Sequence, residues 1–222
     1  MTVLHLADES EAADLAAFLS RLLHYDRSAA VRLQGTGTAL AVFGRPPSFE
    51  VLAIRAVRLA KPYENGLDVT LDVTVSAGEL LESVDEGAGT AVVPAAVTGP
   101  PWAGVLPPRG GWQPVTGLPE PEALRALVLT GIAEFRSRTE ELGPEGRTRA
   151  ELDRIGREIW SRTVADTGLP VRAVHAAQSL GFLRPGGESG LFSSGAWLRL
   201  RTPYGSIAVR QGGLGALGVS VR

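Results

Sequence analysis

The residues of this sequence that could do chemistry gather near its C-terminal end, where tryptophan and arginine alternate with aliphatic residues. The stretch AWLRLRTPYGSIAVR, residues 196–210, predicts two strands joined by a turn, because Pro203 and Gly205 occupy the second and fourth positions that a type I turn prefers. If Arg201 pairs with Ser206, alternation along the strands puts the indole and guanidinium groups on one face. The residues of that face are Trp197, Arg199, Arg201, Ala208 and Arg210, with Tyr204 in the turn.

Tryptophan with flanking arginine supports three kinds of binding chemistry. Indole rings stack on nucleobases, guanidinium groups clamp phosphates, and both residue types dominate the hot spots of protein interfaces. The open alternative is that the tail QGGLGALGVSV or the acidic first half covers Trp197 and neutralises the arginines. We expect a site for a protein partner, self-association included, with nucleic acid as the alternative ligand. The opposite face of the hairpin is apolar and predicts a core contact through Leu198, Leu200, Ile207 and Val209.

A second set of polar residues lies on the helix predicted before the hairpin. The stretch DTGLPVRAVHAAQSLGFL, residues 166–183, resembles the turn and second helix of a helix-turn-helix, and the hairpin could then serve as a wing. Arg172, His175 and Gln178 would face the major groove, where base edges are read. However, Arg172 is the one reliably cationic residue of that stripe, and alanine-rich helices are common packing elements. Nucleic-acid binding by this helix and the basic ribbon therefore stays the alternative.

Catalytic signatures are nearly absent from the sequence. It has no cysteine, which excludes thiolate nucleophiles and cysteine metal sites, and its 3 histidines are scattered without a carboxylate at ligand spacing. The string GLGALG, Gly213–Gly218, matches a dinucleotide fingerprint, but no helix follows it to bind the pyrophosphate. Asp68 and Asp72 are interpreted as a solvated strand face, with a metal pair as the alternative. We expect a non-enzymatic binding or adaptor protein without catalytic residues, metal, cofactor or dinucleotide.

The charge of the chain is divided unevenly along its 222 residues. Up to Glu145 the sequence has 11 basic and 19 acidic residues, whereas from Gly146 onward it has 11 basic and 5 acidic residues. A basic second half could bind an anionic partner, or the two halves could attract each other. The basic C-terminal region is therefore the expected partner-binding part.

The composition also limits where the protein could act. A hydrophobic fraction of 44% is typical of a folded soluble protein, and the N-terminus lacks the basic and apolar regions of a signal peptide. The sequence also has no apolar run long enough to span a membrane. We expect a cytoplasmic location and no membrane partner. Lys61 is the only lysine beside many arginines, which indicates a GC-rich genome.

The hydrophobic pattern predicts an α+β fold of two domains. Residues 1–98 predict an antiparallel-sheet domain with two helices. Residues 99–119 form a Pro/Gly-rich connector whose two tryptophans are expected to pack against one or both domains. Residues 120–222 predict a three-helix domain with the β-hairpin, an arrangement similar to a winged helix.

The first helix has the clearest boundaries. Asp8 and Glu11 stand at capping-box spacing, so the helix should begin there, and it should end at about Tyr25. Its apolar residues recur at helical spacing and predict one buried stripe. They are Leu15, Phe18, Leu19 and Leu22.

Two resemblances follow from these patterns. The order of elements in residues 2 to about 97 resembles half of a DNA sliding-clamp domain, in element order alone. It implies a shape but no function, because the acidic residues that open the first helix would repel phosphates. Residues from about 100 to 210 carry WAGVLPPRGGW, AAQSLGFL and GAWLRLRTPYGSIAVR and resemble proteins of high-GC bacteria known only as domains of unknown function. That resemblance implies no activity and no site residue.

Overall fold

The structure is a computed structural model that describes residues 2–60 and 67–211. The first half of the chain alternates strands with two helices. Its elements are β1 Val3–His5, α1 Glu9–Tyr25, β2 Ala30–Gly37, β3 Ala39–Gly44, β4 Leu52–Arg58, β5 Leu67–Ser76, α2 Ala77–Glu82 and β6 Thr90–Val92.

The second half begins with the connector and then has four helices and three strands within the described residues. Its elements are a 3-10 turn Pro101–Gly104, β7 Gln113–Val115, α3 Pro121–Glu141, α4 Gly143–Gly146, α5 Arg149–Trp160, α6 Val171–Ser179, β8 Gly190–Ser194, β9 Trp197–Thr202 and β10 Gly205–Arg210. The predicted α+β class is thus confirmed.

One antiparallel sheet of eight strands connects both halves, in the order β5-β2-β3-β4-β10-β9-β8-β7. The junction is the pairing of β10 with β4, in which Ile207 lies opposite Ala53. The β9–β10 hairpin is therefore an interior part of the sheet, with a strand on each side. The domain boundaries at 98, 119 and 120 stay a prediction. Strands β1 and β6 form a separate two-stranded antiparallel sheet.

Helices cover one face of the large sheet and enclose the main core. Alternate strand residues point into it, including Leu198, Leu200, Ile207 and Val209 of the hairpin, as predicted. From the other side α1, α2, α3 and α6 contribute apolar residues to the same cluster. Burial of this apolar surface is the main stabilising contribution to the fold.

The first helix begins and ends as predicted, and its charges attach it to the sheet. The Asp8 carboxylate accepts a hydrogen bond from the Glu11 backbone N–H at 2.9 Å, and the helix ends at Tyr25. The Glu11 side chain instead accepts hydrogen bonds from two arginines of β4, from Arg58 Nε at 2.7 Å and from Arg55 at 3.2 Å. The ion pairs fix the helix over β4.

The helices of the second half pack on one another through apolar contacts and surface ion pairs. Thr148 caps α5 by accepting from the Glu151 N–H, and Glu134 of α3 pairs with Arg162 just beyond α5. Pro170 is the residue directly before α6, and most of that helix is buried. No helix in the described ranges is long and apolar enough to cross a membrane.

Two sequence predictions concern positions that the structure covers only in part. The glycine string Gly213–Gly218 and the side chain of Asp68 lie outside the described residues. Asp72 accepts hydrogen bonds from Arg32 at 2.8 Å and from Gln34 at 3.2 Å. Residues 2–60 and 67–211 contain no group of three side chains placed to hold a metal ion.

Candidate binding surface on the open face of the sheet

The predicted hairpin register is confirmed. Ser206 pairs with Arg201, so the Trp/Arg side of β9 and β10 faces away from the helices. Trp197 and Arg199 are half-buried there, whereas Arg201 and Arg210 are exposed. The structure therefore brings the four side chains to the open face of the sheet.

The connector crosses this open face. Trp102 and Leu106 pack against a small second core formed by the sheet. Farther along, the Trp112 indole N–H donates to the carbonyl of Pro108 at 3.0 Å. Of the two connector tryptophans expected to pack against one or both domains, Trp102 thus packs on the sheet. The members of the second core are Phe43, Leu52, Ile54 and Ala208, with Ala41 and Trp197 at its margin.

A first depression, named here the tryptophan cleft, lies between Trp102 and Trp197. Its volume is about 360 Å³. Three arginines, Arg45, Arg172 and Arg210, stand around it, and the one carboxylate of its lining is Glu50, 3.9 Å from Arg172 Nε. The apolar part of its wall comes from Val51, Leu52, Pro101, Val105 and Ala208.

A second depression, named here the arginine cleft, lies beside it on the same strands. Its volume is about 940 Å³, and Arg199 and Arg201 are its cationic residues. The guanidinium carbon of Arg199 lies 5.7 Å from the ring centre of Trp112. The remaining lining residues are Ile54, Ala56, Glu188, Ser189, Gly190, Phe192, Thr202, Pro203, Gly205 and Ser206.

Arg199 is the most unusual charge of the surface. Burial lowers the pKa of its guanidinium group, and the nearby positive charge of Arg201 lowers it further. Its Nε is buried and has no hydrogen-bond partner in the described part of the chain. Nor does any described carboxylate lie within 4.0 Å of Arg199 or Arg201 to form an ion pair. The tail after residue 211, which was the alternative cover expected for Trp197, lies outside the described residues.

The polar residues of the predicted recognition helix occupy half-buried positions of α6, and their surroundings differ. Arg172 reaches the tryptophan cleft, but the His175 ring lies 4.4 Å from the Trp160 ring and 5.1 Å from the Phe49 ring. Burial lowers the pKa of His175. The Gln178 side-chain oxygen is buried without a partner among the described residues. The apolar side of α6 packs into the main core, and groove reading by its polar side stays a prediction.

Tyr204 is also placed apart from the two clefts. The guanidinium carbon of Arg184 lies 3.9 Å from its ring centre, and its backbone carbonyl accepts a hydrogen bond from Arg55 at 2.8 Å. The turn residue therefore helps to hold the hairpin against the α1 side of the sheet, and its ring is half-buried.

Sequence reasoning missed several residues of the two clefts. Arg45 and Glu50 come from the loop between β3 and β4, and Phe192 comes from β8. Among the residues that come from outside the hairpin and α6, only Trp102 and Trp112 could be predicted to pack from the local sequence. A Pro/Gly-rich segment rarely carries two large aromatic residues unless they pack. The other residues reach the surface through strand pairing between distant segments.

Two family models match the chain, one in each half. Residues 1–104 match the model described as Domain of unknown function (DUF8010), and residues 107–214 match the one described as Domain of unknown function (DUF8185). The resemblance to domains of unknown function is therefore confirmed. No curated protein matches the chain at a significant level.

One solved structure with a similar arrangement is the DNA polymerase sliding clamp from Pseudomonas aeruginosa, with ligand. The alignment has 11% sequence identity and a TM-score of 0.47. It covers 91% of this chain and 63% of the clamp chain, so this chain spans less than two thirds of the length of that protein.

Proposed function

We propose that this chain is a non-enzymatic binding protein that engages a protein partner through the tryptophan cleft. The observation that carries the proposal is the pairing of two indoles, Trp102 and Trp197, across an open apolar depression surrounded by three arginines. Tryptophan and arginine are the residues most often found at the energetic centre of protein interfaces.

The shape and charge of the cleft define the partner segment. A volume of about 360 Å³ is at the small end of ligand pockets and accommodates one or two apolar side chains. Arg45 and Arg210 are exposed at its edge, so acidic neighbours on the partner segment would be attracted. The partner therefore carries an apolar anchor, aromatic or aliphatic, between carboxylates.

A labelled synthetic peptide with one phenylalanine between aspartate and glutamate residues tests this proposal by fluorescence anisotropy. We expect binding that weakens about tenfold or more with Trp197→Ala, because the anchor loses one wall. Trp112→Ala is the matched control, since Trp112 lines the other cleft. A peptide with alanine in place of the phenylalanine should bind more weakly. Equal affinity of wild type and Trp197→Ala would contradict the proposal, with circular dichroism verifying the fold.

A second copy of the chain is one form that such a partner could take. Its acidic first half would then supply the carboxylates. Sedimentation velocity over a range of protein concentrations measures this directly. We expect Trp197→Ala to lower the mass of any oligomer, and a monomer at every concentration removes self-association from the proposal.

Nucleic acid is the second candidate, and it is favoured by one observation. Arg199, Arg201 and Arg210 project from the same face of the hairpin, and two of them are exposed. If phosphates are neutralised there, the affinity for DNA should fall steeply between low and physiological salt. Absence of duplex and single-strand binding in a low-salt gel shift would eliminate this candidate. The placement of His175 and Gln178 gives it no support from α6.

A further inference from the structure

The arginine cleft is a separate site from the tryptophan cleft, although the two share strands. Strand β10 contributes Ala208 to the tryptophan cleft and Ser206 to the arginine cleft, while β9 contributes Trp197 to the first and Arg199 with Arg201 to the second. Because alternate residues of one strand lie about 7 Å apart, the two depressions are neighbours along the sheet.

The two cationic side chains of the arginine cleft have no ion-pair partner among residues 2–60 and 67–211. Arg199 and Arg201 are separated by one residue of β9 and therefore project from the same face. Glu188 is the one carboxylate of the described lining, and it forms no ion pair with either arginine. Burial lowers the pKa of Arg199, and repulsion by the positive charge of Arg201 lowers it further.

Small residues flank Arg201 on both neighbouring strands. On β8 the residue opposite Arg201 is Gly190, and on β10 it is Ser206. The absence of a side chain at position 190 lets the Phe192 ring lie there, 3.1 Å from where a Cβ would stand. Ser206 also lines the cleft, and its hydroxyl can donate to an anion. Arg201 therefore has an aromatic ring on one side and a short polar side chain on the other.

Aromatic rings form the wall on the other side of Arg199. Phe192 lies opposite Arg199 on β8, and the Trp112 ring lies 5.7 Å from its guanidinium carbon. These rings border the guanidinium group, which is half-buried. A partly desolvated cation binds an anion more strongly than a solvated one does.

We propose that the arginine cleft binds the phosphate group of a small organic phosphate, with Arg199 and Arg201 as its ligands. The planar guanidinium fork matches the oxygens of a phosphate group, and two forks provide four donors. The Ser206 hydroxyl supplies one more, and Phe192 with Trp112 provides a surface for the organic part. A volume of about 940 Å³ suits a ligand of nucleotide size.

Isothermal titration calorimetry with inorganic pyrophosphate and with adenosine monophosphate, at low salt, tests the site. We expect binding that is about tenfold or more weaker in Arg201→Gln, an exposed position whose replacement preserves the fold. Arg199→Met should show the same loss. The matched control is Arg210→Gln, which removes the same charge from the same face but outside the cleft.

The outcomes separate a built site from general attraction between charges. Equal weakening in Arg201→Gln and Arg210→Gln would overturn the proposal, as would no binding of either phosphate. If adenosine monophosphate binds more tightly than pyrophosphate and Trp112→Ala removes the difference, the aromatic wall contacts the organic part of the ligand. If pyrophosphate alone binds, the two arginines form a phosphate site to which the aromatic wall does not contribute. The acidic peptide described above serves as the independent probe, because its binding should be unchanged by Arg201→Gln.

Discussion

Two arginines on opposite faces of the same sheet differ in whether neighbouring residues compensate their charge. Arg55 of β4 faces the helices, and its side chain is 7% exposed. It donates to Glu11 at 3.2 Å, to Asp14 at 3.1 Å and to the Tyr204 carbonyl at 2.8 Å. Arg199 of β9 faces the other way and forms no ion pair with a described carboxylate, although Glu188 lines the same cleft.

The difference distinguishes a structural charge from one that is available to a ligand. Removing a cation from water costs several kcal/mol unless an anion and hydrogen bonds compensate. For Arg55 the compensating anions are Glu11 and Asp14 of α1, one of the helices on the covered face of the sheet. The chain supplies none to Arg199 in the described residues, so the compensation there is left to water or to a ligand.

The largest expected effect comes from making the same substitution at both positions. Arg55→Met should lower the free energy of unfolding by about 3 kcal/mol. Glu11 would keep Arg58 but lose its second cation, and the Tyr204 carbonyl would lose its donor. Arg199→Met should leave it nearly unchanged or raise it, because the change removes an unpaired, half-buried charge from an aromatic wall. Urea denaturation followed by circular dichroism measures both. A large loss in Arg199→Met would break the comparison.

The connector on the open face gives the next effect. Trp102 packs against the second core, whereas the contacts of Trp112 are a carbonyl and the Arg199 side chain. Trp102→Ala should therefore cost about 1–3 kcal/mol, less than a fully buried tryptophan would, and Trp112→Ala should cost less. Thermal unfolding of the two variants compares them. If both variants lose the same free energy of unfolding, the connector is fixed to the sheet at Trp112 as firmly as at Trp102. The wall of the arginine cleft would then be more rigid than its contacts indicate.

The faces of the hairpin were predictable from local rules. The turn TPYG sets the pairing of Arg201 with Ser206, and strict alternation then assigns each side chain of β9 and β10 to a face. The start of α1 was also predictable, because Asp8 accepts from the backbone three residues later and no distant contact is required.

The parts that could not be predicted depend on distant segments. The pairing of β4 with β10 joins positions about 150 residues apart and leaves no periodic signal in either strand. His175 and Gln178 are polar residues on an amphipathic helix, so they were expected at the surface. The His175 ring is half-buried instead, because the rings of Phe49 and Trp160, from two other segments, lie against it. The clefts depend on the connector path, which Pro/Gly-rich composition does not define.

His175 is a titratable group on the helix-covered side of the sheet, as Arg55 is. Its closest ring neighbours are aromatic, whereas Arg55 contacts two carboxylates. Burial lowers the folded-state pKa of His175 below the ordinary 6.5, so the unfolded chain binds more protons as the pH falls. Stability from this group is therefore present above pH 6.5 and decreases as the pH falls from there toward the lowered folded-state value. Denaturant unfolding at several pH values should show a smaller decrease in His175→Gln than in the wild type. Parallel curves would mean that the ring accepts a proton without cost.

The smallest expected effect tests an arginine that is paired on the open face itself. Arg32 donates to Asp72 at 2.8 Å, at the end of the sheet away from the two clefts. Burial alone would raise the pKa of Asp72, but the hydrogen bonds from Arg32 and Gln34 outweigh it, so the pKa is lowered from 3.8. The stability from this pair is present above pH 3.8 and is lost as the pH falls below it. Because Asp72 is 41% exposed, Asp72→Asn should cost only about 0.2–1 kcal/mol at neutral pH and less in high salt. If Asp72→Asn lowered the free energy of unfolding as much as Arg55→Met, an ion pair on the open face would stabilise the fold as strongly as one on the helix-covered face. The unpaired charge of Arg199 would then lower the stability of the fold until an anion binds there.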